Sequence, residues 1–215
     1  MRQVDRTTVL TAMDDDADPW YLANAALYQL CADHPSHTDV RASIAKVLLI
    51  GRTYAAAIER RKKGRGGNEM LGDSFYVDAV GPAFLQCGID QYLAAIPIGD
   101  DIGDTWMGAL EAHAHLLGVI RALTGDEKRS LTSKYLHFHR PELFFIYDSR
   151  AAQSIAKLCK GFKRSTRRIP AGVDPTYGAF VVRALEVRDC IFDDHGKRLT
   201  PRQLDRVLLQ IAALS

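Results

Sequence analysis

Apolar residues in this chain recur every three to four positions and almost never alternate, and that rhythm restricts the fold more than any other feature. Asp18-Pro19 reads as an N-cap with proline at the first helical position, opening a helix to about residue 33 with Leu22, Ala26 and Leu30 on one face. The run Asp14-Asp15-Asp16 suits the positive end of that helix. From Thr38 a long helix places Val40, Ile44, Val47, Leu48, Gly51, Ala55 and Ile58 on one side, running into the basic stretch 60–67. Gly81-Pro82 splits the next pattern into helices at 73–80 and 82–96, because proline removes a helical donor. Asp104 opens a helix carrying Trp106, Leu110, Leu117 and Ile120, which Gly125 ends. Helices at about 128–139 and, capped by Asp148, to about Leu158 follow. Asp174-Pro175 and Thr200-Pro201-Arg202-Gln203 start the last two, the second with a capping box. The expectation is one all-α domain of about eight helices, divisible into lobes at 1–100 and 101–215 flanking a cleft.

Charge is distributed unevenly along this scaffold. Residues 1–120 hold 10 Lys/Arg against 16 Asp/Glu, and residues 121–215 hold 18 against 10, so a chain of net charge +2 divides into −6 and +8. Local potential steers association, and the second half therefore favours an anionic partner. No acid occurs from Ser149 to Val173, where Arg150, Lys157, Lys160, Lys163, Arg164, Arg167 and Arg168 all fall. At 47% hydrophobic and 25% charged residues the composition is that of a globular domain. Residues 1–11 lack a signal-peptide apolar run and no 18 consecutive apolar residues occur, so the reading expects no membrane and a cytoplasmic protein; a monomer is expected as well. Cys31, Cys87, Cys159 and Cys190 show no paired spacing of a disulfide framework or zinc site. His113 and His115, like His137 and His139, are two apart, which on a helix points them to different faces; no metal and no cofactor are expected.

The residues able to carry chemistry stand just ahead of the basic run. Lys134 lies in Thr132-Ser133-Lys134-Tyr135-Leu136 at the start of a helix, and Asp148 lies in Ile146-Tyr147-Asp148-Ser149-Arg150 at the start of the next. A turn at Leu123-Thr124-Gly125-Asp126-Glu127 precedes them. This helix, turn, helix and capped helix resembles the helix-hairpin-helix DNA glycosylase superfamily, and within it the 8-oxoguanine DNA glycosylase/lyase branch. The resemblance covers about 27 of 215 residues. Where that family's hairpin has a Gly-hydrophobic-Gly core, this chain has the single Gly125, and 14 residues between Lys134 and Asp148 require a compact connecting loop. The resemblance implies Lys134 as an amine nucleophile, Asp148 as its carboxylate partner, damaged duplex DNA as substrate, and DNA repair by excision of an oxidised purine with strand cleavage.

The chemistry can also be stated from the residues. A neutral lysine amine can attack the C1′ carbon of a nucleotide as its base leaves, giving a Schiff base and then β-elimination. A nearby carboxylate can stabilise cationic charge on the sugar and assist proton transfers. A semi-buried position beside other cations would lower the lysine pKa. The base must leave the stack, which calls for an aromatic pocket, to which Tyr135, Phe138, Phe144 and Tyr147 are near enough in sequence to contribute. Gly125, Arg150, Lys163, Arg164, Arg167, Arg168, Arg61 and Lys62 are the candidates for DNA contact. Plainer roles compete: a solvated helix position for Lys134, an N-cap for Asp148, core packing for the aromatics, and, for the whole chain, a non-catalytic nucleic-acid-binding module on the same scaffold.

Overall fold

The computed structural model describes residues 4–59, 73–97, 101–160 and 165–214, and among them the chain is all-α, with no strand. The elements are α1 (Arg6–Met13), a 3-10 turn (Asp15–Ala17), α2 (Tyr21–Asp33), α3 (Val40–Thr53), α4 (Asp73–Phe75), a π turn (Tyr76–Val80), α5 (Gly81–Gln86), α6 (Ile89–Ala94), α7 (Ile102–Thr124), α8 (Arg129–His139), α9 (Ser149–Leu158), α10 (Pro175–His195) and α11 (Pro201–Ala213).

Three helix starts that the sequence locates are capped by a local side chain. Asp148 caps α9, Asp174 caps α10, and Thr200 with Gln203 forms the capping box of α11. Four boundaries fall elsewhere, each for a packing reason. α2 begins at Tyr21, because the Asp18 carboxylate takes the Trp20 amide at 2.9 Å and is then engaged by arginines of α11. Its buried face is Asn24, Leu27 and Cys31, with Leu22 81% exposed, since Asn24 is held inward by hydrogen bonds to Asp18 and Tyr54. α3 stops at Thr53: Ala55 adopts φ +50° and the chain folds back over Gly51, where the absence of a Cβ leaves room for the Ala57 backbone to approach. Gly81-Pro82 does not break the helical path, because the widened π turn before it changes the backbone pairing that proline would have interrupted, and Gly81 packs against Val40 and Ile44 of α3. The break comes at Gly88, at φ +67°. Asp101, three residues before Asp104, caps α7.

Two apolar cores result, and they do not fall either side of residue 100. One joins α2, α3, the segment from Tyr76 to Ile96, the latter half of α7, and α8. The other joins α1, the first turns of α7, and α9, α10 and α11. The loop from Arg140 to Asp148 crosses between them, with Leu143 and Phe144 in one core and Phe145 in the other. It is pinned on both sides: His137 Nδ1 donates to the Phe144 carbonyl at 2.8 Å, and the Tyr177 hydroxyl to that of Phe145 at 2.8 Å. Those bonds fix where Asp148 arrives beside α8.

Candidate active site

The seam between the cores brings Lys134 and Asp148 together. Ser133 Oγ accepts the Tyr147 amide at 3.0 Å, holding the end of the loop against α8. Asp148 then divides its oxygens: Oδ1 accepts the Ala151 amide at 2.9 Å as the α9 cap, and Oδ2 lies 3.5 Å from Lys134 Nζ. One turn back, Ser130 Oγ accepts from Nζ at 2.8 Å, and the Tyr54 ring centroid is 5.6 Å away. Lys134 is only 2% exposed, and burial holds its ammonium below the ordinary lysine range against the opposing pull of Asp148. Of the two expected causes, burial is the main perturbation, and among nearby cations Arg150 adds a smaller push in the same direction.

These two side chains line a cavity of about 270 Å³. Trp20, Tyr54, Ile146 and Leu209 supply its apolar walls, and Asn24, Arg150, Arg202 and Asp205 its polar ones. Asp205 is 3% exposed; its Oδ2 meets Arg202 at 3.3 Å, while Oδ1 has no hydrogen-bond partner among the described residues. Burial raises its carboxyl to about 6. Behind it, Asp18 Oδ2 receives Arg206 at 2.8 Å and Arg202 at 3.4 Å, tying the segment before α2 to α11 across most of the chain. Burial alone would raise the Asp18 pKa, but the Trp20 amide and both arginines bring it below the usual carboxylate value. Sequence reasoning missed Asp205, Trp20, Tyr54 and this hub. The only signal was the spacing of Arg202, Asp205 and Arg206 on one face of α11, which by itself does not reveal that the face is buried.

Other expected residues lie elsewhere. Tyr135, Phe138 and Phe144 do not line the cavity: they are 0%, 2% and 0% exposed and sit in the core that joins α2, α3 and α8. One residue along α8 turns a side chain about 100° from Lys134, which carries Tyr135 into a different packing face. Tyr147 is half-buried against Tyr177 and Phe180 and borders a separate hollow of about 230 Å³ with Lys128 and Arg129. Gly125 ends α7 at φ +71°, with its amide engaged by the Arg121 carbonyl at 2.8 Å, so that amide closes the helix instead of facing outward for a phosphate. Arg150 is exposed at the cavity. Arg167 and Arg168 border a groove of about 870 Å³ against α10, Arg167 also pairing with Asp189 at 3.0 Å. Arg61, Lys62, Lys163 and Arg164 lie outside the described residues.

Among the described residues no group of three or more His, Cys, Asp or Glu is arranged to hold a metal ion, all four cysteines are free thiols, and no helix is long and apolar enough to cross a membrane. The buried histidines are committed to packing or loop bonds: His137, for example, accepts from the Tyr28 hydroxyl at Nε2, 2.7 Å away, and burial lowers its pKa to about 3. The cavity thus offers a buried amine, a helix-capping carboxylate and a second carboxylate with one unpaired oxygen. No protein-family model, no curated protein and no solved structure matches the chain.

Proposed function

We propose that the protein is a DNA glycosylase with lyase activity, removing an oxidised purine from damaged duplex DNA through a Schiff base on Lys134. The observation that carries this reading is the Lys134 amine, 2% exposed and 3.5 Å from Asp148, lining a cavity large enough for one flipped base. A lysine nucleophile has to be neutral, and burial pushes Lys134 in that direction. Its attack on the sugar C1′ carbon would break the glycosidic bond, with Asp148 placed to stabilise the cationic sugar as that bond lengthens. Loss of a proton and ring opening then give the Schiff base, from which β-elimination cleaves the strand. Trp20 and Tyr54 take over the base-stacking role expected of the α8 aromatics. Arg150 beside the cavity, and Arg167 and Arg168 in the larger groove, would meet phosphates.

The test is borohydride trapping on a duplex bearing one 8-oxoguanine. The expected result is a covalent protein–DNA adduct that Lys134→Gln abolishes while retaining DNA affinity. Salt-sensitive DNA binding without any adduct would replace this reading with that of a non-catalytic binding module.

A further inference from the structure

The catalytic reading leaves one buried titratable group of the cavity without a task. Asp205 projects from α11 into the same space as Lys134, and its Oδ1 has no partner among the described residues although the side chain is 3% exposed. A buried acceptor left open is costly unless something fills it. Asp148 cannot serve as a proton carrier without loss, since Oδ1 holds the α9 cap and Oδ2 faces the ammonium; protonation would weaken both contacts. Asp205 has one oxygen on Arg202 and the other open. Two carboxylates share one cavity, and their surroundings suit them to different protonation states.

We propose that Asp205 is the proton carrier of this site, taking a proton from Lys134 and delivering it to the departing base. The inference rests on the lyase reading. In the first step the Lys134 ammonium, which shares the cavity with Asp205 without touching it, gives up one proton that passes through one bridging water to the Asp205 carboxylate, leaving a neutral amine and a carboxylic acid. In the second, the amine nitrogen bonds to C1′ as the bond from C1′ to the base nitrogen breaks, and the base leaves with the electron pair. In the third, the Asp205 carboxylic acid protonates that base and returns to a carboxylate. The charges facing Asp205 are Arg202 on its own helix, Asp148 and Arg150 at the start of α9, and Lys134 on α8. Burial and Asp148 favour the protonated acid, whereas Arg202, Lys134 and Arg150 favour the carboxylate, which leaves Asp205 able to do both.

Two substrates separate the steps. An abasic-site duplex presents an aldehyde that needs a neutral amine but has no base to expel, whereas an 8-oxoguanine duplex needs both. Single-turnover borohydride trapping with Asp205→Asn should be slowed on the abasic duplex by about 10-fold or more at neutral pH, the lower end of an acid–base contribution. That defect should shrink as pH rises and hydroxide replaces the carboxylate. On the 8-oxoguanine duplex it should persist, because the leaving base still lacks its donor. The wild-type rate on the abasic duplex should itself rise through about pH 6, a reading that needs no variant to fold. Asp205→Glu, which keeps a carboxyl, should recover part of the rate. Wild-type rates and pH profiles in Asp205→Asn, or a wild-type profile flat between about pH 5 and 7, would overturn the role of Asp205 while leaving the lyase reading intact. Absence of wild-type trapping on both duplexes would overturn the two together.

Discussion

Helix α8 carries buried polar groups into two different packing faces, and only one of those faces borders a cavity with an unpaired buried acceptor. On one face Tyr135 is bonded to His37 Nε2 at 2.7 Å, and His37 Nδ1 to Asp90 at 2.6 Å. On the other, Lys134 faces Asp148 at 3.5 Å. The sequence Asp-His-Tyr has the look of a catalytic relay, and burial raises the Tyr135 phenol well above its ordinary value just as it lowers the Lys134 ammonium below its own. The difference lies in what each face meets. Tyr135 is packed between Phe84 and His139, at 5.1 and 4.9 Å between ring centroids, and its hydroxyl is already paired. Lys134 opens on a cavity in which a carboxylate oxygen of Asp205 is unpaired. A perturbed titration thus follows from burial alone; it marks a site where space and an unsatisfied atom coincide with it.

The sharpest break of this contrast is Asp148→Asn. Asparagine caps a helix nearly as well as aspartate, so α9 should persist and the melting temperature stay close to wild type. Loss of the charge beside Lys134 should nevertheless slow excision of the damaged base by about 100-fold or more. Normal excision by a normally stable variant would reduce Asp148 to a cap and make both faces of α8 structural.

The groups on the two sides also respond oppositely to pH. Burial raises the Asp205 carboxyl from 3.8 to about 6, so the folded state holds this proton more tightly than the unfolded one. The stability this provides is complete below the unfolded value and is lost as pH climbs through about 6, a loss of up to about 3 kcal/mol for a shift of roughly two units. His37, depressed by burial against the pull of Asp90, has the reverse sign: its contribution is present above the unfolded value of 6.5 and lost as pH falls below it. Denaturant unfolding between about pH 4 and 7 should show the stability gap between Asp205→Asn and wild type shifting in favour of the variant as pH rises. A constant gap would place Asp205 in a wetter setting than its 3% exposure describes.

How much of this was legible depended on distance along the chain. Asp148, Asp174 and Thr200 are recognisable because a cap is satisfied within three residues. Lys134 and Asp148 are close because Asp148, the α9 cap, follows Lys134 by only 14 positions, taken up by the rest of α8 and a pinned loop. The pairing of Asp18 with Arg202 and Arg206 spans 184 and 188 residues, and no local pattern announces it. That hub displaces the start of α2, and the fold-back over Gly51 shortens α3. The aromatics of α8 were misplaced for a related reason: proximity in sequence to Lys134 says little about direction when each step around a helix turns a side chain by about 100°.

Tyr135→Phe has the smallest expected effect and tests the Tyr135 face itself. It removes one hydroxyl from a side chain that is 0% exposed, leaving the ring packing against Phe84 and His139 in place. His37 keeps its bonds to Asp90 through both its backbone amide and Nδ1, so its ring stays where it is, but Nε2 loses its donor. The cost is that of one unsatisfied buried acceptor, about 1 kcal/mol and at most about 3. Trapping per folded molecule should be unchanged, because neither Tyr135 nor His37 borders the Lys134 cavity. A tenfold drop in trapping with this small loss of stability would mean that the two faces of α8 are coupled, so that the position of Lys134 depends on the Tyr135–His37 bond beneath it. An unchanged rate would leave one face holding the helix and the other free to carry the chemistry.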